Sequence, residues 1–124
     1  MNGINIINQS EKPIYKQLYE QISSQIINGE LCPGYNLPPI RVAAKEMGVS
    51  VITVKKAWEE LEREGLIYTT PGKGCFVADF NREGFENKKM NIAEKQLKED
   101  LKFYKTLGIS KKEFLILSNE LFDK

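Results

Sequence analysis

The chain has 124 residues, and its 18 lysines and arginines nearly balance 17 aspartates and glutamates, for a formal net charge of +1. Any affinity for nucleic acid or a membrane surface must therefore come from a local patch of charge. Histidine is absent, which removes the commonest general base and metal ligand, and the two cysteines, Cys32 and Cys75, cannot be activated by it. No apolar run approaches the ~20 residues that cross a bilayer. We expect a cytoplasmic protein with no cofactor, no metal and no catalytic activity.

Three helices are predicted in the first half of the chain, after a short extended arm. Pro13 suits the first turn of the first helix, and Gly29 suits its end. Gly48 ends a short second helix, and Ser50 is a good N-cap for a third helix that stops near Gly65. Apolar residues repeat at helical spacing in the three segments: Ile14, Leu18, Ile22 and Ile26; Ile40, Val42, Ala43 and Met47; Val54, Ala57, Trp58 and Leu61. A short helix, a tight turn and a further helix form the helix-turn-helix pattern.

A β-hairpin is predicted directly after the third helix. Residues 66–70 are rich in β-forming side chains, the Pro-Gly-Lys-Gly sequence at residues 71–74 forms a turn, and residues 75–78 supply a second strand. Three helices followed by a small hairpin make the winged variant of helix-turn-helix, with Lys73 at the tip of the wing. We therefore predict an α+β fold with a winged-helix domain over residues 1–80.

Two more helices are predicted beyond a polar hinge at residues 81–90. Gly108 separates them, and Ser110 with Glu113 forms a capping box at the start of the second one. Because two helices of this size cannot enclose a core, residues 91–124 are predicted to form a dimerisation hairpin that packs on a second copy of the chain. The alternative is that both helices fold back onto their own winged-helix domain. The predicted interface residues are Leu97, Leu101, Tyr104, Leu107, Phe114, Leu117 and Leu121.

Charge is segregated along the second and third helices. The basic residues between Pro39 and Trp58 are Arg41, Lys45, Lys55 and Lys56, against the single acid Glu46. Acidic residues dominate the remainder of the third helix. The basic part falls on the elements that approach a duplex when a recognition helix enters the major groove. Ordinary solvated helix faces explain the same pattern equally well.

Several residues in this region have the chemistry for DNA contacts. Arg41 can bind a phosphate or a guanine edge, and Thr53 can donate to a phosphate. Ser50 can also donate to a phosphate, but a plain helix cap explains it equally well. Trp58 is expected in the core, because it lies on the apolar stripe of the third helix. The basic candidates for phosphate or base contact are Lys55, Lys56 and Lys73.

Short motifs follow one another in a fixed order from Pro13 to Ala78. They are Pro13-Ile14-Tyr15-Lys16-Gln17, Gly29-Glu30-Leu31, Pro33-Gly34, Leu37-Pro38-Pro39-Ile40-Arg41, Gly48-Val49-Ser50, Thr53-Val54, Leu61, Glu64-Gly65-Leu66 and Gly72-Lys73-Gly74-Cys75-Phe76-Val77. Together they resemble the GntR family of bacterial transcription regulators. The short tail with Leu107-Gly108-Ile109-Ser110-Lys111-Lys112-Glu113 is similar to the YtrA subfamily, whose members have the smallest C-terminal region of that family.

The resemblance implies a homodimeric winged-helix repressor that binds an inverted-repeat operator, often that of an ABC transporter operon that includes the regulator's own gene. The implied DNA contacts are Arg41, Ser50, Val51, Thr53, Lys55, Gly72, Lys73 and Gly74. Val51 stands where relatives often carry a polar or basic residue, so that contact is lost or is replaced by apolar contact with a thymine methyl group. Pro39 stands where the family usually has serine, which removes a helix cap.

A rival interpretation is a winged-helix module that binds another protein and has no direct contact with DNA. The basic cluster favours DNA, because a protein-docking module has no need to bring Arg41, Lys55 and Lys73 together. The sequence does not identify the operator, the regulated genes or any small-molecule effector, and the predicted C-terminal hairpin is too small to surround a metabolite.

Overall fold

Five helices and one antiparallel hairpin make up the computed structural model, which describes residues 3–124. The helices are α1 (Ile14–Ile27), α2 (Ile40–Met47), α3 (Val51–Arg63), α4 (Arg82–Thr106) and α5 (Lys111–Phe122). The strands are β1 (Ile67–Thr70) and β2 (Gly74–Val77). This order of elements confirms the predicted winged-helix fold and the two helices that follow it. None of the helices in residues 3–124 is long and apolar enough to span a membrane.

The core of the winged-helix part lies between α1 and α3. From α1, Leu18 and Ile22 are completely buried, and from α3, Val54 and Leu61 are completely buried. Trp58 is 4% exposed, which confirms its predicted place in the core. Full burial of one such aliphatic side chain contributes about 1.5–3 kcal/mol, so the packing on α1 fixes the position of α3.

The turn between α2 and α3 is bounded by the glycine and the serine that the sequence predicts. Gly48 ends α2 in the left-handed conformation, with φ +68°, and its backbone N–H donates to Lys45. The side chain of Ser50 accepts a hydrogen bond from the backbone N–H of Thr53 at 3.1 Å. These two caps fix the direction in which α3 leaves the turn.

Two glutamine side chains hold the N-terminal arm against α1. Gln17 accepts from the N–H of Ile7 at 2.8 Å and donates to the carbonyl oxygen of the same residue at 2.9 Å. Gln21 makes the same pair of hydrogen bonds with Asn5, both at 2.7 Å. The arm predicted over residues 1–10 is therefore docked by side-chain amides, and its first two residues lie outside the described part of the chain.

The wing is tied to the chain just before α2. In the hairpin, Tyr68 of β1 pairs with Phe76 of β2, and their rings lie 5.7 Å apart. Residues 34–37 run along the other edge of β2, where the N–H of Leu37 donates to the carbonyl oxygen of Cys75 at 2.8 Å. Because this segment leads directly into α2, the wing and the second helix have a fixed spacing.

The helix α4 begins at Arg82, so most of the predicted polar hinge is helical. The side chain of Asn81 accepts a hydrogen bond from the N–H of Gly84 at 2.8 Å, which is the geometry of an N-cap. Phe80 packs edge-on against Phe85 at a ring-centroid distance of 5.3 Å, and these are the positions of a hydrophobic staple. The cap and the staple start α4 earlier than predicted, which corrects the expected start of the fourth helix.

The chain divides into two compact units, the first ending at Lys88 and the second spanning Lys89–Lys124. In the second unit, α5 begins with the predicted capping box. Ser110 accepts from the N–H of Glu113 at 3.1 Å, and the Glu113 carboxylate accepts from the N–H of Ser110 at 3.0 Å. The hydrogen bonds from the backbone and the hydroxyl of Ser110 stabilise the charged carboxylate and lower the pKa of Glu113.

Candidate nucleic-acid interface

The N-terminal end of α3, which carries several of the predicted contact residues, is exposed to solvent. Ile52 is 78% exposed, Val51 is 39% exposed, and Lys55 is also exposed. The hydroxyl of Ser50 caps the helix and lies 2.8 Å from the hydroxyl of Thr53. The structure thus brings Ser50, Val51, Thr53 and Lys55 together at one end of α3, and it gives Ser50 the role of a cap.

In the part of the chain that the structure describes, three basic side chains predicted to contact DNA have no acidic partner. Within residues 3–124, the exposed side chains of Arg41, Lys55 and Lys73 form no ion pair. By contrast, Arg63 at the far end of α3 pairs with Glu60. The charges of the first three side chains are therefore free to meet phosphate groups.

The tip of the wing lies beside the start of α2. An open cleft of about 390 Å³ is lined by the wing turn together with Pro39 and Ile40. In that turn Gly72 and Gly74 adopt φ values of +76° and +130°, which a residue with a side chain adopts only under strain. Pro39 precedes α2 without a side-chain cap, as the departure from the family pattern predicts. The wing tip and the helix that carries Arg41 therefore border one cleft.

Lys56, predicted as a DNA contact beside Lys55, has a different partner. Its ammonium lies 3.9 Å from the centroid of the Tyr15 ring, a cation–π contact. The contact forms because α1 packs beside α3 and places Tyr15 next to this side chain. Because Lys56 is exposed and keeps its charge in this contact, it remains a proposed DNA contact beside Lys55.

The side chain of Lys88, from α4, caps the C-terminal end of α3. Its ammonium donates to the backbone oxygen of Glu64 at 2.7 Å and lies 5.8 Å from the centroid of the Phe80 ring. A positive charge is favourable at this end of a helix, where the carbonyl dipoles point outward. At the next residue, Gly65, a Cβ would come within 2.9 Å of the ammonium, so glycine leaves room for the contact. No pattern in the sequence indicates this link between α4 and α3.

Replacement of Lys88 by methionine removes the charge and keeps most of the side-chain length. We expect Lys88→Met to lower the free energy of unfolding by about 1 kcal/mol, because the carbonyl oxygen of Glu64 loses a charged donor. Urea denaturation followed by circular dichroism measures the change. The matched control is Lys102→Met, at an exposed position of the same helix, which should change stability by less than ~0.5 kcal/mol. Equal losses in the two variants would contradict a stabilising role for Lys88.

The C-terminal helices leave apolar residues exposed, and no residue of α4 or α5 is buried. Of the residues predicted for a dimer interface, four are 44–61% exposed, namely Leu97, Leu107, Leu117 and Leu121. Tyr104 and Phe114 instead lie against each other at a ring-centroid distance of 6.1 Å and so join α4 to α5. Leu101 is half-buried. The predicted interface does not include five further large apolar residues of α4 and α5 that are at least half exposed, namely Met90, Phe103, Leu115, Ile116 and Phe122.

Three packed helices and a hairpin wing, with basic residues on α2, α3 and the wing that form no ion pair within residues 3–124, define a winged-helix DNA-binding regulator. Residues 14–77 match the family described as bacterial regulatory proteins, gntR family. The chain belongs to this GntR family. Because the family consists of regulatory proteins, the prediction that the chain is not an enzyme is confirmed.

Two relatives from Bacillus subtilis support the assignment over most of the chain. The uncharacterized HTH-type transcriptional regulator YhcF is 36% identical over 107 residues, which cover 86% of this chain and 88% of that protein. The HTH-type transcriptional repressor YtrA is 35% identical over 96 residues, which cover 77% of this chain and 74% of YtrA. The similarity to YtrA extends beyond the winged-helix domain and confirms the resemblance found in the sequence.

A solved structure with DNA is also similar to this chain. The DNA-binding domain of AraR in complex with operator ORX1 is 32% identical, with a TM-score of 0.55. The match covers 63% of this chain and all (100%) of the AraR domain. A GntR-type winged-helix domain therefore binds double-stranded DNA, which confirms the class of partner predicted for the domain.

Proposed function

We propose that the chain is a homodimeric repressor that binds a pseudo-palindromic, inverted-repeat operator. In this proposal each protomer inserts the N-terminal end of α3 into a major groove, and the wing tip contacts the neighbouring backbone or minor groove. The observation that carries the proposal is the exposed N-terminal end of α3 together with the exposed basic side chains of Arg41, Lys55 and Lys73, which form no ion pair within residues 3–124. The two half-sites would lie about one helical turn apart.

The exposed apolar surface of α4 and α5 supports the homodimer. Two helices with no buried residue gain little from packing on each other alone, whereas a two-fold interface covers the same surface on both copies. The proposed interface consists of Leu97, Leu101, Leu107, Leu117 and Leu121, with Tyr104 and Phe114 forming the contact between the two helices of each copy. A dimer holds two copies of α3 at a fixed spacing, as an inverted repeat requires.

Repression is the mode of regulation that we propose, because YtrA of Bacillus subtilis is described as a transcriptional repressor. Occupancy of an operator that overlaps a promoter blocks the start of transcription. The genes that we propose as targets are an ABC transporter operon and the regulator's own gene, as the resemblance to the YtrA subfamily implies. The protein would act in the cytoplasm, where the chromosome lies.

Two arginine substitutions, one on α2 and one at the C-terminal end of α3, test the proposed DNA interface. Arg41→Ala is expected to weaken binding about tenfold or more, because a phosphate or guanine contact is worth about 1–3 kcal/mol. Arg63→Ala is the matched control, since Arg63 lies at the far end of α3 and pairs with Glu60. Fluorescence anisotropy at fixed salt measures affinity for a duplex from upstream of the chain's own gene.

The control should bind within about twofold of the original protein, in line with the small effects of substitutions away from a contact. Equal affinity of Arg41→Ala and the original protein would overturn the proposed interface. Failure of the original protein to bind any duplex at low ionic strength would overturn direct DNA binding and would favour the protein-docking alternative.

A further inference from the structure

The helix α3 carries two separate apolar surfaces, and only one of them contributes to the core. Val54 and Leu61 are completely buried against α1 and α2. At the N-terminal end, Ile52 is 78% exposed and Val51 is 39% exposed. An isoleucine at this level of exposure adds almost nothing to folding, because hydrophobic stabilisation scales with the area removed from water.

Ile52 lies at the centre of the face of α3 that points away from the core. In an α-helix, residues three and seven positions further along lie on the same side, which here are Lys55 and Glu59. Both are exposed, as is Ile52. The face thus runs from an apolar first turn through a basic second turn to an acidic end, and its apolar part lies where α3 would enter a groove deepest.

We propose that Ile52, with Val51 beside it, determines operator specificity by contact with the 5-methyl group of thymine in the major groove. This inference rests on the proposed function, since it requires α3 to enter that groove. The thymine methyl is the apolar group that the major groove offers, and aliphatic side chains recognise it by direct contact. Isoleucine has no donor or acceptor, so at this position it selects for a methyl group and against a polar base edge.

Replacement of thymine by deoxyuridine tests the proposal, because it removes the methyl group and keeps every hydrogen-bonding atom of the base pair. The probe is a duplex selected from a random library by the full-length protein and synthesised with either thymine or deoxyuridine in both half-sites. Affinities of the original protein and of Ile52→Ala are measured for both duplexes by anisotropy at fixed salt. Ile7→Ala, an isoleucine that is 55% exposed in the N-terminal arm, is the matched control.

For the original protein, we expect deoxyuridine to weaken binding roughly fourfold per half-site, or roughly fifteenfold in all, as the burial of one methyl-sized group is worth about 0.8 kcal/mol. Ile52→Ala should bind the thymine duplex several-fold more weakly than the original protein does, and deoxyuridine should weaken its binding much less, since only Val51 remains to contact the methyl group. Ile7→Ala should behave as the original protein does.

Equal binding of the original protein to both duplexes would overturn the role of Ile52 and leave the proposed DNA-binding function intact. The same holds if Ile52→Ala retains the full sensitivity to deoxyuridine. Failure to select any duplex from the library would instead overturn the proposed function itself. If Ile52→Ala binds both duplexes as the original protein does but no longer binds a protein that the original protein binds, Ile52 contacts that protein partner. This outcome would also overturn the proposal.

Discussion

Replacement of both Leu117 and Leu121 by glutamate is expected to convert a dimer into a monomer and to weaken operator binding about 100-fold or more. The two leucines are 46% and 57% exposed and lie one turn apart on α5. Carboxylates on this surface would have to be desolvated against the apolar surface of the partner copy. A monomer binds one half-site at a time. It therefore loses the increase in affinity that a dimer obtains by binding two linked half-sites at once.

Sedimentation velocity measures the oligomeric state, and anisotropy on a duplex with two half-sites measures the affinity. Asn119→Glu is the matched control, because Asn119 is an exposed polar residue on the other side of α5. Circular dichroism shows whether α5 remains helical, as expected for substitutions at positions that are not buried. A monomeric original protein, or a double variant that stays dimeric, would contradict the proposed interface.

Local signals predicted most helix ends of this chain correctly. Gly48 ends α2, Ser50 caps α3, and Ser110 with Glu113 caps α5, in each case where the sequence indicates. These predictions succeed because a cap is a short-range interaction, made between residues two or three positions apart. The apolar stripe of α1 is equally local, and Ile22 and its neighbours on that stripe are buried as expected.

The start of α4 was missed although its signal was of the same kind. Asn81 caps the helix, and Phe80 packs on Phe85 as Ile109 and Phe114 are placed to do before α5. The polar composition of the segment suggested a hinge, but glutamate and lysine are good helix formers on a solvated surface. The apolar spacing indicates the later part of α4 but not its first turns, which are mostly polar, whereas the capping residues indicate where the helix begins.

The sequence indicates which elements carry the candidate site, but it does not reveal the contacts that individual side chains make within the fold. Charge segregation favours an interface at α2, α3 and the wing, but it does not reveal the contact of Lys56 with Tyr15, which joins two helices that are distant in the sequence. The same is true of Lys88, which reaches the end of α3 from α4. Such contacts depend on the packing of whole elements, so no spacing within one helix reveals them. Ile52 was overlooked for another reason, since an apolar residue outside the core stripe carries no charge signal.

The substitution Ile22→Ala is expected to lower the free energy of unfolding by about 2–5 kcal/mol. Ile22 is completely buried at the centre of α1, opposite α3. Loss of its side chain removes the favourable free energy of burying that side chain and leaves a cavity between α1 and α3. Since domains of this size are stable by about 5–15 kcal/mol, the variant should unfold at much lower urea. Urea denaturation at a fixed protein concentration, which keeps any dimer contribution constant, measures the loss.

Ile52→Ala is the control that separates stability from recognition, because the same residue type is replaced at a position that is 78% exposed. It should change the free energy of unfolding by less than ~0.5 kcal/mol. The two variants should therefore behave in opposite ways: one loses stability, and its folded fraction still binds the operator, while the other keeps stability and loses affinity. A small loss of stability in Ile22→Ala would mean that the packing of α1 on α3 does not position the interface.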